Sequence, residues 1–405
     1  VWEASREKQT LHRIAPHLAE PLPFVFPTYR GSGWPLWQLR IGVKLYDLLS
    51  GGRNLGPSTS MSRSEVLDYL PKLAPEGLTG AVRYYDGFTN DARLVIDTLR
   101  AAAAHGAIVS NYARMVEASP HGDGWRCLVR DTHSGETHAV VARSVVHAAG
   151  PWAEQLPQSR VRLRLTKGVH LVVDRRRLPV RDAVVMTEGQ RILFAIPWGE
   201  RVILGTTDTD YDGPIEAVRT EPADVGYILG VVNRAFPTAG LAEGDVISRW
   251  AGLRPLVASK RGGPSDISRA HQIRMPQPGW IDVAGGKLTT YRLIAEQVVD
   301  RVFRHLGRKS PACRTAIEPL VEARAVEGVS GILPPEVSAA VVEHCCREEW
   351  TVHLDDVMLR RTSWHYYHPH AAEIAQEAAG WMAEILGWDE TRRESELARY
   401  RELTH

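Results

Sequence analysis

The sequence has no run of about 18 apolar residues, so none of it is expected to cross a bilayer as a helix. Cysteine is scarce. Cys127, Cys313, Cys345 and Cys346 are irregularly spaced and include no CxxC pair. That pattern indicates neither a zinc site nor a disulfide framework; no metal is assigned, and a reducing cytosol suits it. An excess of either charge is also missing. The formal net charge is +1, which gives no argument for nucleic acid or an acidic partner. The opening stretch, VWEASREKQTLHRIAPHL, lacks the unbroken apolar region of a secretory signal. It also lacks an initiator methionine and reads as the inside of a domain. Internal repeats and low-complexity runs are absent.

What is present suffices for a large core. There are 405 residues, 44% of them hydrophobic, enough for two or three domains. The most informative stretch is VAGGKLTTYR at 283–292. A short apolar run, 280–284, reads as a strand. Gly285-Gly286 allow a sharp turn and a close approach to a ligand. Ile294, Val298, Val302 and Leu306 then recur at helical spacing. Strand, glycine turn and helix start, with Lys287 adding a positive charge, suit an anionic or electron-accepting ring edge.

Other elements follow from pattern. Helices are expected over 1–14, 37–49, 64–70 (capped by Ser64 or Ser62), 90–105 (capped by Asn90 and stopped at Gly106) and 222–236. The proline-rich 21–27 is extended. Strands are expected at 82–87, 113–118, 125–131 and 138–147, the last running into Ala148-Ala149-Gly150-Pro151-Trp152. More strands fall at 161–173, 183–186, 192–197 and 202–206. Helices at 334–349, 354–361 and 370–384 form a small C-terminal cap.

GGKLTTYR, WAGLRPL at 250–256 and IPWGERVILGTTDTDYDG at 196–213 are long strings in a fixed order. Together they resemble the FAD-dependent glycerol-3-phosphate dehydrogenases, and the resemblance runs from about Glu3 to the C-terminus. It implies an α/β (α+β) fold of the D-amino-acid-oxidase superfamily. A two-dinucleotide-binding FAD part would be interleaved with a substrate β-sheet over 1–300, followed by a helical domain over 301–405. It implies FAD as cofactor and oxidation of sn-glycerol 3-phosphate to dihydroxyacetone phosphate. Electrons would pass to a membrane quinone from a cytoplasmic, peripherally bound enzyme; a homodimer is open. An oxidase that gives electrons to oxygen is the alternative.

The family's GxGxxG turn, which seats the FAD pyrophosphate on a helix start, is not in this sequence. Gly31-Ser32-Gly33 runs into Trp34-Pro35 instead. The N-terminal βαβ unit is therefore expected to be incomplete, by roughly 30 residues or more. A further alternative is a truncated remnant that cannot hold FAD tightly.

The resemblance also implies site residues. Phosphate carries nearly two charges, so arginine is its natural ligand. Arg254 in WAGLRPL is the first candidate and Arg269 in SDISRAHQI the second; Lys287 serves substrate and flavin. His170, expected to follow a Lys167-Gly168 turn in TKGVHLVV, is the candidate base, titrating near the ~6.5 of free histidine. Cofactor contacts are Val116, Gly150, Pro151, Trp152, Gly285, Gly286, Lys287, Leu288 and Thr289. Gly205-Thr206-Thr207-Asp208 reads as a strand end with no assigned role.

Overall fold

The computed structural model describes residues 2–31, 34–49, 55–189, 191–257, 271–322 and 326–404. Helix α1 (Trp2–Ile14) leads into strand β1 (Glu20–Tyr29). Helix α2 (Leu36–Leu49), strand β2 (Thr59–Ser62), helix α3 (Arg63–Tyr69), strand β3 (Leu78–Phe88) and helix α4 (Asp91–Ala104) follow. Ser62, not Ser64, caps α3, through a capping box with Glu65. Asn90 caps α4 by accepting from the Arg93 amide, and Gly106 ends it at φ +89°.

Strands β4 (Ala113–His121), β5 (Gly124–Asp131) and β6 (Thr137–Ala142) form an antiparallel meander. The expected strand 138–147 is in fact two. It breaks after Ala142, and β7 (Val145–His147) joins a different sheet. Ser144 makes the crossing by donating its hydroxyl to the Gly279 carbonyl.

Strands β8 (Leu163–Asp174), β9 (Ala183–Glu188), β10 (Arg191–Trp198), β11 (Arg201–Gly205), β12 (Thr209–Asp210) and β13 (Val246–Val257) flank helix α5 (Pro222–Ala235). With β1, β2 and β3 they build a nine-stranded sheet. One edge of β8 pairs with β11 and β12, and the sheet continues through β10, β9, β1, β3 and β2. The other edge of β8 pairs with β13 along its whole length. Among the described pairings of this sheet only β1–β9 is parallel. Alternation along β8 decides which face is core. Val169, Leu171 and Val173 pack with Val225, Ile228 and Val232 of α5 and Val66 and Leu70 near α3. Gly168, His170 and Val172 are thereby left on the opposite face.

A third sheet has the order β14 (Gln272–Gln277), β15 (Trp280–Ala284), β7, and precedes helix α6 (Tyr291–His305). The C-terminal layer has α7 (Ala339–Glu348), a π-helical turn Asp356–Arg361, α8 (Trp364–Tyr367), α9 (Ala371–Leu386) and α10 (Glu390–Thr404) around a core including Val342, Leu354, Met358, Trp364 and Met382. The helix expected from 334 starts only at Ala339, beyond Pro334-Pro335. Helix α10 was not expected. Its run ETRRESELARYRELT buries only Glu396, Leu397 and Tyr400, too few apolar positions to display a helical stripe. Buried Arg93 ties this layer to α4. It donates to both carboxylate oxygens of Glu349, at 2.7 Å each, and to the Arg361 carbonyl. Breaking such a buried pair costs about 3–5 kcal/mol.

Candidate active site

The register of β8 assembles one half of the site. His170 pairs with Gly205 of β11 on one side and Trp250 of β13 on the other. Gly168 pairs with Gly252, and Thr166 with Arg254. The Arg254 guanidinium lies across Gly168, where an added Cβ would sit 2.3 Å from Nη2. Glycine is needed there to let the fork approach the backbone. Lys167-Gly168 is not a turn: both residues lie inside β8. The Lys167 ammonium points to the α5 side, pairing with Asp224 at 2.8 Å and Glu221 at 3.1 Å.

Gly205-Thr206-Thr207-Asp208 has a role that pattern alone did not assign. Arg254 donates from Nη2 to Thr206 Oγ1 (2.9 Å) and from Nη1 to the Thr207 carbonyl (3.2 Å), with Asp208 Oδ1 at 3.5 Å. The Arg254 side chain keeps 29% of its surface exposed.

The His170 ring stacks on Trp250, with centroids 5.1 Å apart and planes at 20°. Burial, then the Arg254 charge, pushes its pKa down to about 4. This corrects the expected titration near 6.5: the imidazole is neutral throughout the neutral range. Its Nδ1 is buried and has no hydrogen-bond partner among the described residues.

The other half is made of backbone. Strands β7 and β15 run parallel, with Trp280 opposite Val145 and Asp282 opposite His147. Two glycine turns therefore leave the same, carboxyl, end of adjacent strands, the edge at which open α/β sheets bind ligands. Gly150 has φ +56°, Gly285 +70° and Gly286 +94°. The helix does not begin at the glycines as expected. A 3-10 turn, Leu288–Thr290, intervenes before α6. Lys287 is exposed, and its carbonyl accepts from the Thr290 amide at 3.0 Å and the Thr290 hydroxyl at 3.1 Å.

Several contacts hold these turns in place. Asp282 accepts from Trp280 Nε1 and the Arg160 amide, both at 2.8 Å, and faces His147 Nδ1 at 3.2 Å. Ala153 packs with Ala284, Val161, Val257 and Leu163, which joins the turn after Gly150 to the ends of β8 and β13. Trp152, beside Pro151, is 40% exposed and donates to Glu216. Arg292 donates to both oxygens of Glu7 at 2.7 Å, pinning α1 to the start of α6. The structure thus brings Arg254 and His170 onto one face, and the 150–152 and 285–289 backbones to one edge. Val116 lies apart, in the β4 meander, at a bulge between Met115 and Glu117. Arg269 lies outside the described residues.

Comparison with known proteins gives the context. A family model described as FAD dependent oxidoreductase matches residues 1–301, and one described as C-terminal domain of alpha-glycerophosphate oxidase matches 313–393. Glycerol-3-phosphate dehydrogenase 2 of Mycobacterium tuberculosis is 31% identical over 454 aligned positions, covering 99% of this chain and 77% of the relative. The chain belongs to the family of FAD-dependent glycerol-3-phosphate dehydrogenases. An aerobic glycerol-3-phosphate dehydrogenase of Staphylococcus epidermidis is 34% identical over 78% of this chain and 59% of its own length. Among solved structures, the glycerol-3-phosphate dehydrogenase of Bacillus halodurans complexed with FAD matches at a TM-score of 0.79 and 27% identity, over 98% of this chain and 84% of that one. The L-alpha-glycerophosphate oxidase of Mycoplasma pneumoniae, at 15% identity and a TM-score of 0.57, shares the fold.

The residues present fit one end of FAD, the family's cofactor. Above Gly150 a Cβ would meet nothing within 4 Å, so bare backbone faces open space. Gly286 is as strict as a cradle requires: a Cβ there would lie 2.6 Å from Ile294 Cδ1. For the pyrophosphate end, no GxGxxG turn occurs in these 405 residues.

Sequence reasoning missed Trp250, Gly168, Gly205, Thr206, Thr207 and Glu7. Period-2 alternation in RWAGLRPL and TKGVH could have found the first two; the others act through pairings far apart in sequence. A buried group, His353, Asp355 and Glu396, has ligand atoms within 4.8 Å of one another. Its charges are already met. His353 Nδ1 faces Glu396 at 2.8 Å, Arg392 pairs with Glu396 at 2.6 Å, and Arg399 and Arg360 hold Asp355.

Proposed function

We propose that the two halves act together to oxidise sn-glycerol 3-phosphate at its C2 alcohol, giving dihydroxyacetone phosphate. The observation that carries this is the pairing, on one sheet face, of a cradled arginine fork and a neutral imidazole. Arg254, partly exposed and cradled by Thr206 and Thr207, binds the phosphate. Lys287 adds a second cation from the opposite edge, and Arg269 a third. His170 takes the C2 hydroxyl proton on a ring nitrogen as the carbonyl forms. Bound FAD supplies the hydride acceptor. Gly150, Pro151, Trp152 and Gly285–Thr289 would hold its isoalloxazine end, and Val116, which lies apart from those turns, would contact another part of the cofactor. Residues 1–300 form the oxidoreductase domain in this reading and 301–405 the helical one.

Electrons pass onward to a quinone at the cytoplasmic membrane. Helix α2 supports contact with a bilayer: Trp37, Ile41 and Leu45, one turn apart each, are 64%, 59% and 51% exposed beside Arg40 and Lys44. Aromatic and aliphatic residues next to basic ones suit an interfacial helix. Among the described residues no helix is long and apolar enough to cross a membrane.

Anaerobic flavin reduction tests the reaction, with FAD in excess. Glycerol 3-phosphate bleaches the flavin absorbance; a flavin that stays oxidised ends the proposal. Reoxidation by a soluble quinone faster than by air-saturated buffer supports the quinone acceptor, and the reverse order makes the protein an oxidase. Light scattering decides between monomer and homodimer.

A further inference from the structure

We propose that Trp250, held in turn by Tyr366 of the C-terminal layer, is a positioning residue that fixes the imidazole plane of His170. The inference rests on the reading of His170 as proton acceptor.

A histidine that moves protons is ordinarily oriented through its second ring nitrogen, by a carboxylate or carbonyl. Here Nδ1 is buried with no such partner among the described residues. The ring is held by its faces and edges instead. On the β11 side its register partner is Gly205, where a Cβ would come within 2.5 Å of His170 Cδ2, so only glycine admits the imidazole. On the β13 side Trp250 is the register partner and lies nearly parallel, at 20° and 5.1 Å. Trp250 is itself backed by Tyr366, with ring centroids 5.0 Å apart at 57°. Tyr366 is locked by its backbone: its carbonyl accepts from Ser248 Oγ at 2.6 Å and its amide donates to Ser363 at 3.0 Å. Beside it, the Tyr367 carbonyl accepts from Arg201 Nε at 2.8 Å. A line of three rings thus runs from the C-terminal layer to the catalytic imidazole. It gives that layer, which supplies no other residue assigned to the site, a bearing on the chemistry. Aromatic pairs of this kind contribute beyond their buried area and have defined geometry.

The test uses the FAD-loaded enzyme with carbon-13-labelled histidine. The ring C–H signals of His170 are identified by their loss in His170→Asn. In the wild type they sit upfield, in the ring current of Trp250. Trp250→Leu moves them toward the free-histidine position and lowers kcat by about 10-fold or more while KM changes by less than about 3-fold, as for a misplaced proton acceptor. Trp250→Phe restores most of both. Tyr366→Leu shifts both in the same direction by less, and it serves alone should Trp250→Leu fail to fold. Unmoved His170 signals in both leucine variants, or a raised KM with kcat intact, overturn the proposal. Signals that move while His170→Asn keeps full kcat remove the proton-acceptor reading and leave the placement of the ring by Trp250 standing.

Discussion

In the proposed reaction the strand pair β8–β13 and the two glycine turns at the ends of β7 and β15 contribute different materials. The first offers side chains, a guanidinium and an imidazole, whose positions follow from antiparallel register. The second offers backbone, whose shape follows from positive φ at Gly150, Gly285 and Gly286. A change on the strand pair should therefore alter substrate handling in a fold that persists. A change at the turns should alter cofactor affinity and stability together.

The largest effect is expected on the side-chain half. Arg254→Ala should lower kcat/KM by about 10²-fold or more, on the order of 3 kcal/mol for a lost charge-assisted contact, mostly through KM. Arg254→Lys should recover little, because a point charge does not replace the fork. Steady-state kinetics with FAD in excess checks both, and an unchanged KM takes Arg254 out of the site.

On the backbone half, Gly286→Ala combines a strained φ of +94° with a Cβ 2.6 Å from Ile294. A loss of about 2 kcal/mol or more is expected, with weaker flavin binding. Denaturant midpoints and flavin fluorescence read these together; tighter flavin binding in the variant would break the comparison.

His170 sharpens it through pH. Its pKa is about 4 in the folded chain and about 6.5 unfolded. Above 6.5 both states are neutral. Between these values only the unfolded chain binds the proton, so stability falls as pH drops through that window. The loss should be about 2 kcal/mol between about pH 7 and pH 5. His170→Asn should flatten that part of the urea-midpoint profile against the wild type. An identical slope in the variant would place the histidine in a wetter setting. The smallest effect is expected at Gly150→Ala, where nothing lies within 4 Å of the new Cβ. Only the left-handed backbone is strained, at about 1 kcal/mol; a loss as large as at Gly286 would show that the two turns are equally crowded.

Legibility in the sequence followed the same division. Local signals were readable: the Asn90 cap, the Gly106 stop, the strand before Gly285 and the positions of the substrate strands. The two strings carrying Arg254 and Lys287 were readable by resemblance. What was hidden depends on register between distant segments. Only the pairing of β8 with β11 and β13 reveals that Gly205 and Trp250 enclose His170, or that Thr206 and Thr207 hold Arg254. Likewise the buried Glu7–Arg292 pair spans nearly the whole oxidoreductase region, and no local pattern marks it. The lowered pKa of His170 was unreadable for the same reason, since it arises from burial and from Arg254.

The central claim is that Arg254 recognises the phosphate while His170 handles the alcohol. Comparing glycerol 3-phosphate with glycerol in wild type and Arg254→Ala tests it most directly. Glycerol offers the same alcohol without the phosphate. The expected result is that Arg254→Ala loses about 10²-fold in kcat/KM for glycerol 3-phosphate and almost nothing for glycerol, so that discrimination between the two collapses. An equal loss for both substrates would contradict the account, and would make Arg254 a structural support of the sheet.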